Sequence, residues 1–279
     1  MKKNRSHISS WILKGCVIIA AVVTFAVLLF LLGYILWKGI PHLKLSLFSF
    51  RYTSENVSML PAIINTVLMT AMALVIAVPF GVFSAVYLAE YANKKNKFVE
   101  IIRLTTETLA GIPSIVYGLF GMLFFVTALK WGYSLIAGAL TLSIMVLPSI
   151  MRTTEEALQA VPDSYREGSF GLGAGKLRTV FCIVLPSAMP GILSGIILAI
   201  GRIVGETAAL IYTAGTVAQV PSSIFGSGRT LAVHMYNLSS EGLHINEAYA
   251  TAVVLVILVI GINSLSSMAA KRLGKRSIE

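Results

Sequence analysis

Cysteine is nearly absent from this 279-residue chain, which has only Cys16 and Cys182. Two isolated thiols support neither a disulfide framework nor a metal site. Histidine is almost as scarce, and His234 and His244, ten residues apart, have no metal-ligand spacing. Charge is scarce too: 12% of residues are charged, against about 25% in ordinary soluble domains. Nucleotide-hydrolysing machinery is missing as well. The run FGLGAGKL departs from a phosphate-binding loop, with Phe170 where the first glycine belongs and Leu177 where a hydroxyl residue belongs. No H-E-x-x-H and no G-x-S-x-G occurs. The chain is expected to need no cofactor and to be no enzyme; any ATP hydrolysis must come from another polypeptide.

What is plentiful is apolar length, at 56% hydrophobic residues. Six apolar segments can be drawn, roughly 16 to 37, 62 to 89, 108 to 129, 133 to 151, 190 to 215 and 248 to 269, which predicts an all-α integral membrane protein. The first is too long for a signal-peptide core and ends in Trp37-Lys38 rather than a small-x-small site, so it is expected to stay as an anchor. The net charge of +10 sorts with topology. With the N-terminus inside, sixteen basic residues fall on cytoplasmic pieces, five (Lys38, Lys44, Arg51, Lys130 and Arg229) fall outside, and Arg202 lies in an apolar run. The asymmetry predicts both termini in the cytoplasm and removes nucleic acid as a partner.

Arg202 and Glu206 stand inside the run from Pro190 to Gly215. Read as one helix, the run places Arg202 near the bilayer midplane with Glu206 one turn away at i+4. Gly191, Gly195, Ala209 and Thr213 then share their stripe, within about 40° on a helical wheel. Two readings stand. In one, the pair is structural and the glycines permit close packing. In the other, Arg202 lines a path for an anion, because a guanidinium suits oxyanions.

Elsewhere, Asn65, Thr66 and Thr70 mark the outer end of the second segment, and Gly111 and Pro113 interrupt the third as a broken helix or a plain kink. The connection from Lys38 to Pro61 has room for a short strand or an interfacial piece. Thr216 to Glu247 is a long outer excursion suited to meeting a ligand-delivery partner. Thr153 to Pro186 is polar enough to leave the bilayer. There Pro162 with Asp163 and Ser164 predicts a break and N-cap, a helix over about 165 to 172, then a return helix from Lys176. Such a protrusion is either a docking knob or a solvated connector.

The protrusion resembles the E-A-A-x-x-x-G…I-x-L-P loop of ABC importer permease subunits, with Glu167, Gly173, Ile183, Leu185 and Pro186 in register. Gly168 and Ser169 stand at the alanine positions, which keeps them small and weakens the helix by about 1 kcal/mol or less per site. The R-x-x-G-E-T-A segment (Arg202, Gly205, Glu206, Thr207, Ala208), GIPSIVYGLFG and LAVHMYNL resemble the A-type permeases of phosphate-specific systems. The resemblance implies a type I importer permease architecture with six transmembrane helices and a cytoplasmic coupling helix. It implies a bacterial inner-membrane subunit passing inorganic phosphate, with Arg202, Glu206 and Thr207 on the path. Its partners would be a homologous second permease, an ATPase dimer, an extracytoplasmic phosphate-binding protein and the lipid bilayer. On this reading residues 1–61 form the tail, first span and outer loop, 62–270 the permease core with its coupling loop at 153–186, and 271–279 a tail. Sulfate, molybdate or phosphonate as cargo, or an autonomous ion-coupled anion carrier, are the alternatives.

Overall fold

The computed structural model describes residues 3–93 and 96–276. Lys2, Lys94 and Lys95 of the basic count, and 277–279 of the tail, lie outside them. Among the described residues every regular element is helical. The helices are α1 (Lys3–Gly39), α2 (Leu60–Val86), α3 (Lys97–Ala110), α4 (Ser114–Gly121), α5 (Leu135–Gln159), α6 (Asp163–Gly171), α7 (Lys176–Thr179), α8 (Leu185–Val204), α9 (Ala208–Thr213), α10 (Leu231–Glu241) and α11 (Ile245–Arg276). Short π-helical stretches extend α2 to Tyr91 and α4 to Ala128, and join α7 to α8. Between Gly39 and Pro61 the chain makes two 3₁₀ turns, Ile40–His42 and Leu45–Phe48, rather than a strand.

Five helical runs are long and apolar enough to cross a membrane: Leu13–His42, Leu60–Tyr91, Leu135–Gln159, Lys176–Val204 and Ile245–Met268. The bent pair of α3 and the α4 run, at 102° to each other, brings the number to six if counted as one span. The break at Gly111 to Pro113 is therefore a near-right-angle turn and not a kink. It persists because its free backbone groups find partners: the Tyr117 hydroxyl donates to the Leu109 carbonyl at 2.8 Å. Arg103 of α3 pairs with Glu155 of α5 at 2.7 Å, which holds α3 against the end of the bundle that carries α6.

Helix α5 sits at the centre, with α2 and α8 packed on it. Their shared core includes Met69, Ala73, Ala77, Leu142, Met145, Val146, Ile150, Ala199 and Ile203. Lipid tails are as apolar as these side chains, so association in a bilayer depends on close fit and hydrogen bonds more than on hydrophobicity. Both are present. The Ser143 hydroxyl lies 3.1 Å from the Ala73 carbonyl of α2, while Gly191 and Gly195 of α8 ride directly on Ala157 and Thr153 of α5. Helix α1 is fully exposed over its apolar window and meets the rest of the chain chiefly at α11.

The glycine contacts set a test. A Cβ at Gly195 would overlap Thr153, whereas one at Gly201 meets only Asn263 Nδ2 at 4.0 Å. Gly195→Val is expected to cost about 1–3 kcal/mol or to prevent folding, and Gly201→Ala to leave the melting temperature in detergent unchanged or higher.

Candidate functional sites

The fifth apolar run is not one helix. Helix α8 ends at Val204, and the chain turns through Gly205, Glu206 and Thr207 before α9 begins. The expected i+4 pairing of Arg202 with Glu206 therefore does not form, and no ion pair joins them among the described residues. Glu206 is buried and its Oε1 accepts the Ala209 amide at 3.1 Å, so its charge caps the N-terminus of α9. Arg202 stands in the last turn of α8, where the helix dipole favours a cation. It borders an open groove of about 600 Å³ with Ser149, Ser194, Ile197, Leu198 and Asn263. Thr207 is the N-cap residue of α9. The break also divides the predicted small-residue stripe. Gly191 and Gly195 pack on α5, while Ala209 meets Gly118 and Thr213 meets Gly121 of α4. The run carried no mark of the break beyond the Gly205-Glu206-Thr207 cluster itself.

At the other end of α8 the polar segment forms a compact knob. Helix α6 begins at Asp163 with Pro162 as its N-cap residue and no side-chain cap, so the break falls where expected but Asp163 and Ser164 do not cap it. It ends in a tight turn. Gly173, at φ +82°, donates to the Phe170 carbonyl at 2.9 Å, and Ala174 to the Ser169 carbonyl at 3.1 Å. Nothing lies within 4 Å of a Cβ placed on Gly173, so left-handed backbone, and not crowding, calls for glycine. Ser169 is buried and its hydroxyl bonds Thr179 of α7 at 2.8 Å, tying the two arms together. Glu167 and Gly168 face outward beside Tyr165, Phe170 and Leu172, the last 91% exposed. Ile183 lies half-buried on the π-helical return, with Leu185 and Pro186 at the start of α8.

Arg166 is the residue that sequence reasoning missed. Its Nη2 lies 2.6 Å from Glu90 Oε1 at the end of α2 and 3.0 Å from the Leu158 carbonyl of α5. Its Nη1 reaches the Val161 carbonyl at 2.8 Å and Asp163 at 3.1 Å. One guanidinium thus fastens the knob to two membrane helices. The partner is 76 residues away, so no local spacing could signal it.

Opposite the knob, the stretch between α9 and α10 folds back onto α2. Asn65 Nδ2 donates to the carbonyls of Gln219 (2.8 Å) and Arg229 (3.2 Å), and the Thr66 hydroxyl accepts the Leu231 amide at 2.8 Å, capping α10. His234 is fully buried, with Tyr52 edge-on at 6.2 Å. Burial, helped by the Arg229 charge and opposed by the Val57 backbone, lowers its pKa from 6.5 to about 3.

This architecture has known counterparts. Residues 77–278 match the family described as "Binding-protein-dependent transport system inner membrane component". The chain belongs to that family. It is 37% identical to the probable ABC transporter permease protein YqgI of Bacillus subtilis, over 92% of both chains. It is 35% identical to the phosphate transport system permease protein PstA of Yersinia pestis, over 81% of this chain and 83% of that one. It is 37% identical to PstA 1 of Mycobacterium tuberculosis (strain CDC 1551), over 74% and 68%. Among solved structures, a bacterial alginate ABC transporter shares the fold at a TM-score of 0.62, 14% identity and coverage of 91% of this chain and 95% of that one. The MetNI methionine ABC transporter does so at 0.57, 22%, and 78% and 94%. A member of this family is a transport component and not an enzyme, as expected from the missing motifs.

In such a permease the Arg166 anchor is testable. Arg166 and Glu90 are 17% and 9% exposed, and removing one partner of a buried pair costs about 3–5 kcal/mol. Glu90→Ala and Arg166→Leu are each expected to destabilise the purified protein, and together by less than their sum in a double-mutant thermal cycle. His234 gives a second test. Its native state resists the proton that the unfolded chain accepts below pH 6.5, so stability present above that pH is lost as pH falls toward 3, by about 3–5 kcal/mol. The melting temperature should drop from pH 7 to pH 4.5, and His234→Phe should flatten that slope.

Proposed function

We propose that the chain is one permease half of an ATP-driven importer that carries inorganic phosphate inward, both termini facing the cytoplasm. The observation that carries the reading is the setting of Arg202: a cation at the end of α8, on a groove open along one side, with no carboxylate against it among the described residues. A guanidinium so placed offers a planar set of donors to an oxyanion. The open side calls for a second wall, which a homologous permease supplies in a heterodimer. The relatives named as phosphate transport permeases favour phosphate over other oxyanions. The sixteen-to-five basic count favours the knob end as the cytoplasmic one.

On this reading α6, with Glu167, Gly168, Ser169 and Gly173, seats on one subunit of an ATPase dimer. Exposed Phe170 and Leu172 supply apolar contact, and Ile183, Leu185 and Pro186 carry its motion into α8. An extracytoplasmic phosphate-binding protein delivers cargo at the opposite face. Residues 62–270 form the permease core, and Thr207 sits at the bend on the path. Glu206 acts by holding that bend: it fixes α9 and leaves the Arg202 charge free for the anion.

The test is phosphate uptake by the reconstituted complex. Arg202→Gln is expected to leave assembly and ATPase activity intact while uptake falls at least tenfold. Arg202→Lys should keep part of the uptake, since charge persists without the planar geometry. Glu206→Gln, which retains an acceptor for the Ala209 amide, should be mild alone and should not restore uptake to Arg202→Gln. Normal uptake by Arg202→Gln, or recovery in the double variant, overturns the assignment.

A further inference from the structure

Arg229 is 5% exposed, yet no carboxylate pairs with it among the described residues, and its Nε and Nη2 are buried without a hydrogen-bond partner. Its Cζ lies 4.7 Å from the centre of the Tyr52 ring. A cation–π contact returns on the order of 2 kcal/mol when desolvated, while burying a cation with unfilled donors costs several. The main chain of Arg229 is held in place. Its amide donates to the Val217 carbonyl at 2.9 Å, and its own carbonyl accepts from Asn65 at 3.2 Å.

Arg229 forms part of the wall of a cavity of about 670 Å³, shared with Arg51, Tyr52, Thr216 and Gln219. Two of the lining residues are cationic and none is acidic. Thr216 follows shortly after α9: the six-residue helix, about 9 Å long at helical rise, with Ala214 and Gly215, joins the bend after Arg202 to this wall. His234, whose pKa of about 3 keeps it neutral, adds no charge of its own.

We propose that this cavity is a receiving site for phosphate at the outer mouth of the permease, where Arg229, with Arg51 and Thr216, holds the oxyanion between the delivering protein and Arg202. The proposal rests on the substrate and orientation given above. The same oxyanion chemistry has a second possible source, a carboxylate of the delivering protein, and the experiment separates the two.

The assembled complex, without the binding protein, is equilibrated with radiolabelled inorganic phosphate and, separately, melted with phosphate or chloride. Wild type is expected to bind label and to melt higher in phosphate. Arg229→Gln should lose both responses. Arg229→Lys, which keeps the charge if the neutral variant fails to fold, should weaken binding about tenfold, and Arg202→Gln should retain the phosphate shift. Absence of label and shift in wild type, with uptake intact, overturns the receiving site and leaves the importer reading standing. Loss of binding-protein affinity in Arg229→Gln, with no phosphate shift in wild type, assigns the cavity to a carboxylate and likewise overturns it. Phosphate binding that depends on Arg229 in a complex that moves no phosphate upholds the anion site and sinks the importer reading instead.

Discussion

The close approach of α8 to α5 is the contact on which the rest of the molecule depends. Gly191 and Gly195 let the two backbones meet over Ala157 and Thr153, and α8 carries the knob at one end and Arg202 at the other. The knob enters at Pro186, and Arg202 leaves at the last turn. A helix of 20 residues spans about 30 Å, so a firmly seated α8 links the two without any mobile connector. Larger side chains at the two glycines would separate the rods and release both ends together.

The arginines divide by whether a carboxylate meets them. Arg166 and Arg103 are paired, with Glu90 at 2.6 Å and Glu155 at 2.7 Å, and both tie peripheral helices to the bundle. Arg202 and Arg229 have no such partner among the described residues, and both line cavities. A guanidinium paired with a carboxylate serves as a fastener. An unpaired one in a partly dry site retains unused donors, which suits the passage of an anion. Glu206 shows how the chain avoids neutralising Arg202: four residues away in sequence, it is spent on the Ala209 amide.

Three breaks in the helices are closed by groups near them in the chain. The bend between α3 and α4 is closed by the Tyr117 hydroxyl, that between α8 and α9 by Glu206, and the end of α6 by Gly173. Where such a break lies inside a bilayer, the freed groups require protein partners. Each partner here comes from within a few residues of its break, so these bends form locally and then pack. The loop before α10 depends instead on a distant group, since two of its carbonyls are held by Asn65 of α2, 154 and 164 residues away.

Several features follow from sequence alone because the bilayer makes them local. Apolar length marks six segments, five of which fall on helical runs long enough to cross a membrane, the lysines and arginines suggest a side, and Gly111 with Pro113 marks a break whose angle is left open. The knob was legible from Pro162 to Pro186 because polar composition and glycine punctuate it. Tertiary structure alone decided what the charges do. The run from Pro190 to Gly215 reads as one span by its apolar length, yet it divides at Gly205, where the Glu206 carboxylate takes the free Ala209 amide at the start of α9. Arg166 met Glu90, and Arg229 and His234 became buried over Tyr52, through contacts between segments far apart in the chain. Sequence determines which groups must avoid lipid; only the packing of distant helices determines which of them end with a partner and which remain free to bind one.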